Sequence, residues 1–203
     1  MPKKEAARQV NNHIIDTITP TAIEFHVSDF WFGDYLSRVI LISNYPSRVK
    51  IGWLARIANM EGVTCSMHLT PTNSSNLVEN ISKSIGELSS KIKNGGNALM
   101  LQRAAQQYKD ANILLRKIDQ EQENVFYVTI ALMVYAPDKE SLEKKTKRIM
   151  SALAGSRMKG RTAMFRQEEA LHAVSPYGAC PQGIKDIASG NMPVSTVAGS
   201  FVF

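Results

Sequence analysis

Signatures of chemistry are what this sequence has least of. Its two cysteines, Cys65 and Cys180, stand far apart with no CxxC pair or Cys/His cluster beside them. That excludes a disulfide framework and a paired-cysteine metal site, and leaves free thiols in a reducing compartment as the expectation. The four histidines, His13, His26, His68 and His172, share no metal-ligand spacing. The phosphate loop GxxxxGKS/T, whose amides cradle phosphates while its Lys and hydroxyl serve phosphate and metal, is missing, and so are GxSxG, HExxH and GxGxxG. No run approaches the roughly 20 apolar residues that span a bilayer. The opening MPKKEAARQVNNH is polar and lacks an apolar core, so no secretory leader is expected. A soluble, cytoplasmic protein without a self-declared catalytic site is expected.

What is present is enough apolar residue to fold. The 203 residues are 44% hydrophobic and 21% charged, with a net charge of +6, ordinary for a globular chain and mildly suited to an anionic partner. The stretch Val125–Tyr135 is free of charge, Gly and Pro, and is apolar at alternate positions on both faces. It reads as a central strand. After Pro137, Asp138 is placed to cap a helix over Asp138–Ala154 whose Leu142, Ile149 and Leu153 share a face, with Gly155 as the left-handed stop.

Upstream, residues 1–13 read as a loose tail. Ile23, Phe25 and Val27 alternate, the chain turns and continues through Phe30–Phe32, and Gly33-Asp34 turns it again into a strand over Tyr35–Asn44. A short helix over Gly52–Asn59 precedes a strand at Val63–Leu69 whose polar face marks an edge. Thr72–Ser75 then offers capping residues. Beyond them Leu77, Ile81, Ile85, Leu88 and Ile92 repeat at helical spacing as far as Asn94-Gly95-Gly96, and Leu101, Ala104, Tyr108, Ala111, Leu115 and Ile118 do so after it. Matching stripes on either side of a short Gly link predict an antiparallel helical hairpin. Downstream of the central strand and helix come a strand at Arg161–Arg166, helical turns at Gln167–Ala173 and Ile184–Ser189, and an irregular Pro/Gly loop between them.

Strand, helix, strand, strand, helix, strand is the split βαβ order. The fold class expected is therefore α+β: a ferredoxin-like sheet with an inserted helical hairpin (73–118) and an extra N-terminal β-hairpin. One domain is expected over 14–190, and 191–203, ending on Phe-Val-Phe, reads as the start of a linker cut from a longer protein.

One electrostatic feature stands out. From Lys144 to Gln167 the chain carries Lys144, Lys145, Lys147, Arg148, Arg157, Lys159, Arg161 and Arg166 and no acid. Arg166 is set to point away from the others; the first seven are candidates for a basic strip that would hold phosphate backbone, anionic lipid or an acidic protein surface. A solvated helix face is the plainer account, since aromatics for base stacking are scarce there. A small independent enzyme would need titrating side chains clustered in a cleft, and the sequence displays no such set.

The words IIDTITP (14–20), Gly33-Asp34-Tyr35, Tyr45-Pro46, GWL (52–54) and ISKSI (81–85), in this order, resemble the amino-terminal region of the large VirB-class TraE/TrsE-like ATPases of conjugative type IV secretion systems, above all those of Gram-positive mobile elements. The resemblance covers about 14–203. It implies a cytoplasmic, oligomeric ATPase held peripherally at the cell membrane, powering DNA transfer through partners in the inner-membrane channel. The Walker motor, with its ATP and Mg, follows the amino-terminal domain in that family. No catalytic, cofactor or metal residue is therefore carried over, and a non-catalytic docking and assembly domain is implied. A nucleic-acid-binding module built on 144–166 is the rival expectation.

Overall fold

The computed structural model describes residues 22–46, 49–72 and 74–200. The expected tail at 1–13, the words at 14–20 and the terminal 201–203 lie outside them, as do Asn73 and the side chains of Ser74 and Ser75 from the expected capping cluster.

Seven strands, β1 (Ile23–Phe25), β2 (Phe30–Phe32), β3 (Tyr35–Asn44), β4 (Val63–Pro71), β5 (Val125–Ala136), β6 (Lys159–Thr162) and β7 (Gly190–Pro193), make one antiparallel sheet. The helices are α1 (Ala55–Ala58), α2 (Ser74–Lys93), α3 (Ala98–Asp119), α4 (Lys139–Gly155), α5 (Gln167–Val174), α6 (Gln182–Ala188) and α7 (Val194–Ala198). β5 is the axis. Its uncharged VFYVTIALMVYA pairs on one edge with β4, from Val63↔Val134 to Pro71↔Phe126. Its other edge takes β3, from Leu36↔Ala136 to Leu41↔Ala131, and then β7, from Val128↔Gly190 to Val125↔Pro193. β6 lies on the outer edge of β3, so the order β6-β3-β5-β4 is the ferredoxin-like one. The β1-β2 hairpin occupies the rest of that outer edge.

Two edges assembled from separate pieces leave two seams, and a side chain closes each. Between β2 and β6 the Val39 amide donates to Gln167 Oε1 at 2.9 Å, while Gln167 Nε2 donates to Ala163 O at 3.0 Å. Between β3 and β7 the Ile130 amide donates to the Tyr45 hydroxyl at 3.1 Å, and that hydroxyl donates to Ala188 O at 2.9 Å. Gly190 lies under the same ring, where a Cβ would stand 2.5 Å from Tyr45 Cδ2. Each seam amide left unpaired would cost about 1–3 kcal/mol, which is why a buried Gln and a buried Tyr hydroxyl occupy these positions.

Helices cover both faces. On one, Leu54 and Ile57 of the α1 region and Leu142, Ile149 and Leu153 of α4 pack on Leu36, Ile40, Ile42, Ile130, Leu132 and Val134. On the other, α5 and α6 lay Ala170, Ala173, Ile184 and Ala188 over Phe30, Val39, Leu41 and Ala131. The alanines let those short helices approach closely. A third, smaller cluster of Leu77, Ile81 and Val125, with Ile85, Ala111, Leu114, Leu115 and Ile118 against it, seats the α2-α3 hairpin on the start of β5.

Three local expectations are corrected. Gly155 stays helical, and Arg157 (φ 59°) takes the left-handed position beyond the end of α4, with Met158 N–H on Leu153 O at 2.8 Å and Arg157 N–H on Ala154 O at 2.9 Å. β6 runs over Lys159–Thr162 instead of Arg161–Arg166, because Ala163 N–H closes onto Val39 O and the chain then turns through Phe165 (φ 61°). The segment expected to begin a linker at 191 instead holds β7 and α7, packed through Met192 and Val197 into the main core.

Candidate functional site

The most buried charges have a structural task. Arg38, a lone cation in the apolar run of β3, is 6% exposed. It donates to Glu143 Oε1 at 2.6 Å, Asp29 Oδ2 at 3.3 Å, Ser28 O at 2.9 Å and Thr146 Oγ1 at 3.3 Å. Burial works to raise the Asp29 carboxyl, but hydrogen bonds from Ser28, His26 and Arg38 and the Arg38 charge outweigh it and hold Asp29 below the usual carboxylate range. The network rivets the β1-β2 turn to α4. Among the described residues no three His, Cys, Asp or Glu side chains group as metal ligands. Burial pushes the Cys65 thiol up to about 11, which leaves it a poor nucleophile.

The seven cations singled out in the sequence fall on two sides of the molecule. Lys144 pairs with Glu140 at 2.7 Å on the solvent side of α4. Lys145 donates to Tyr135 O at 3.2 Å beside the Tyr135 ring. Lys147 and Arg148 are exposed on the same helix. In β6, Gly160 faces α4, for a Cβ there would meet Leu153 and Met150. Lys159 and Arg161 alternate with it and point to the opposite face, where Arg161 borders a hollow with Leu41 and Ile187. Arg166, at the start of α5, donates to Gly183 O at 3.3 Å.

Arg157 reaches a second, larger concavity. Three adjoining hollows share Pro46 or Arg157, in the order of the groove: about 270 Å³ between α3 and β7, about 990 Å³ along α3 from Gln106 to Ile113, and about 580 Å³ around Trp53. The last is lined by Lys50, Arg56 and Arg157, with no carboxylate among the described residues. Lys50 and Arg56 escaped the sequence reading, although they flank the GWL word; their spacing carries no regular pattern.

The groove runs beside the root of the helical hairpin, where the C-terminal segment ties the parts together. Trp53 Nε1 donates to Thr196 O at 3.1 Å and Gly52 N–H to Gly199 O at 2.7 Å. Glu123 accepts from Ser195 N–H at 2.5 Å and from Lys117 Nζ at 3.2 Å. From this root the helices run outward, and beyond Ile85 on α2 no residue is buried until Ala104 on α3. At the far end Leu99 and Met100 are 55% and 70% exposed. Helices of 20 and 22 residues make an arm about 30 Å long.

Fold and site together define an α+β protein with a helix-covered ferredoxin-like sheet that carries a projecting helical arm. No protein-family model matches the chain. It is similar to an uncharacterized plasmid-encoded (pXO2) protein of Bacillus anthracis, 26% identical over 147 residues, which are 72% of this chain and 23% of that protein. The chain thus spans less than a quarter of the length of that relative. No helix among the described residues is long and apolar enough to cross a membrane.

Proposed function

We propose that the chain is a non-catalytic docking and assembly domain of a conjugative type IV secretion ATPase, coupling a motor elsewhere in the protein to the channel at the cytoplasmic face of the membrane. The observation that carries this reading is the arm: two long helices rooted on the sheet, packed beyond the root on each other, and ending in exposed Leu99 and Met100. A tip of that kind lowers its free energy by burying apolar area against a partner, at about 25 cal/mol per Å². The family-like words support it, and a relative several times longer than the matched stretch leaves room for a motor elsewhere in the protein. On this reading ATP and Mg belong to the motor, and the partners are inner-membrane channel proteins, the motor itself and further copies of the chain.

The groove end lined by Lys50, Arg56 and Arg157 favours a second reading, a nucleic-acid-binding module. One experiment separates the two. Leu99→Lys with Met100→Lys in the full-length protein is expected to abolish co-purification with channel proteins and to lower DNA transfer at least tenfold, with an unchanged circular dichroism spectrum. Undiminished transfer, or ATP turnover by the purified chain, would overturn the docking reading. DNA binding that falls steeply with salt and is lost on Arg157→Glu would favour the second.

A further inference from the structure

β4 ends the sheet. Its inner edge pairs with β5 throughout, and among the described residues nothing pairs with its outer edge. Tyr135 N–H donates to Gly62 O at 3.0 Å, and bonding alternates along an antiparallel strand. Thr64, Ser66, His68 and Thr70 therefore turn their backbone groups toward β5, and Val63, Cys65, Met67, Leu69 and Pro71 turn theirs outward. The two ends of that row are closed to a donor role: Val63 N–H already donates to Met60 O at 3.2 Å, and proline has none. The free donors are those of Cys65, Met67 and Leu69, centred on Met67.

Sheet edges are ordinarily guarded by charge, by proline or by a bulge. The β4 sequence VTCSMHLTP carries no charge, its register with β5 runs without a shift, and its one proline stands at the end. Leu69 is 42% exposed, and a hollow of about 480 Å³ runs along Cys65–Thr70.

We propose that β4 is a self-pairing edge: two copies of the chain join antiparallel with Met67 opposite Met67 about a two-fold axis, fusing the two sheets into one. Cys65 then lies opposite Leu69 of the second copy, and every free donor finds an acceptor within 65–69. On one face the apolar Cys65, Met67 and Leu69 meet their counterparts, which favours an antiparallel pair; on the other Thr64 lies opposite Thr70, and Ser66 opposite a His68 whose Nε2 is already held by Ser66 Oγ of its own strand at 3.2 Å and by Ala173 O at 2.6 Å. The strand itself brings no like charges together, and the cation beside it, Lys185, stands across the hollow on α6. The pairing would supply a contact for the self-association expected of a docking domain, but it stands on the geometry of β4 alone.

Sedimentation of the purified chain over a concentration series is expected to show a species of twice the 22.5 kDa chain mass. Met67→Pro removes a donor that β5 does not use, although it also removes a side chain packed on the main core; the variant is expected to keep the parent's circular dichroism spectrum and to sediment as a monomer. Leu69→Cys, with Cys65 in place, is expected to give a covalent dimer on oxidation at alkaline pH, where the shielded Cys65 thiol reacts, and Cys65→Ser is expected to abolish it. A monomer across the series, or a dimer that ignores Met67→Pro and yields no such crosslink, would overturn the proposal while leaving the test of the arm tip untouched. So would β4 amides that gain exchange protection only when an extended peptide of another protein is added.

Discussion

Arg38 has an acid-dependent consequence. Asp29 and Glu143 are both held below their usual carboxylate values, Asp29 against its own burial and Glu143 chiefly by its hydrogen bond from Arg38. A depressed carboxyl adds stability that is complete above its unfolded pKa and is lost as pH falls through the folded one. Resistance to urea is therefore expected to fall below about pH 4, and Asp29→Asn to flatten that dependence. Arg38→Met, which strands the Asp29 carboxylate, should cost about 3 kcal/mol at neutral pH. A variant as stable as the parent would show that the network is ornamental. Such residues are hard to see in a sequence. The arginine in YLSRVILISN breaks an apolar run, which is a visible sign, but its partners lie nine and 105 positions away. Gln167 and Tyr45 give no sign, because the need for them arises only where separate strands meet.

Elements were more legible, for a physical reason. The central strand, the helix after it and the two hairpin helices each bury a face with its own period, and period survives in a single sequence. β7 and α7 left no such trace: they are short, and they hold their places through backbone pairing with β5 and hydrogen bonds from Trp53 and Gly52. The basic segment misled for a related reason. Closeness in sequence suggested one strip, whereas the turn from α4 into β6 sends Lys159 and Arg161 across the sheet. That turn bears a test. Arg157 holds a left-handed conformation that favours glycine, so Arg157→Gly is expected to stabilise the fold by about 0.5–1 kcal/mol, a rise of roughly 1–4 °C in Tm for a chain of this size. A fall in Tm would mean that the arginine side chain contributes more in the groove than its backbone loses.

For the molecule as a whole, the decisive feature is where the arm is attached. Pro71 and Phe126 face each other across β4 and β5, so everything between them stands in the place of one β-turn. Replacing 73–122 with a short Asn-Gly turn is expected to leave a cooperatively melting sheet. Its stability should drop by a few kcal/mol for the lost packing of Leu77 and Ile81 on Val125, and on the docking proposal channel partners should no longer be retained; loss of the sheet's own cooperative transition would show that body and arm fold as a single unit. If the body does stand without it, reach becomes a separately inherited quantity. Each seven residues added to both helices would lengthen the limb by about 10 Å and leave every strand where it was, so related chains can share one body and differ only in the length of this gauge.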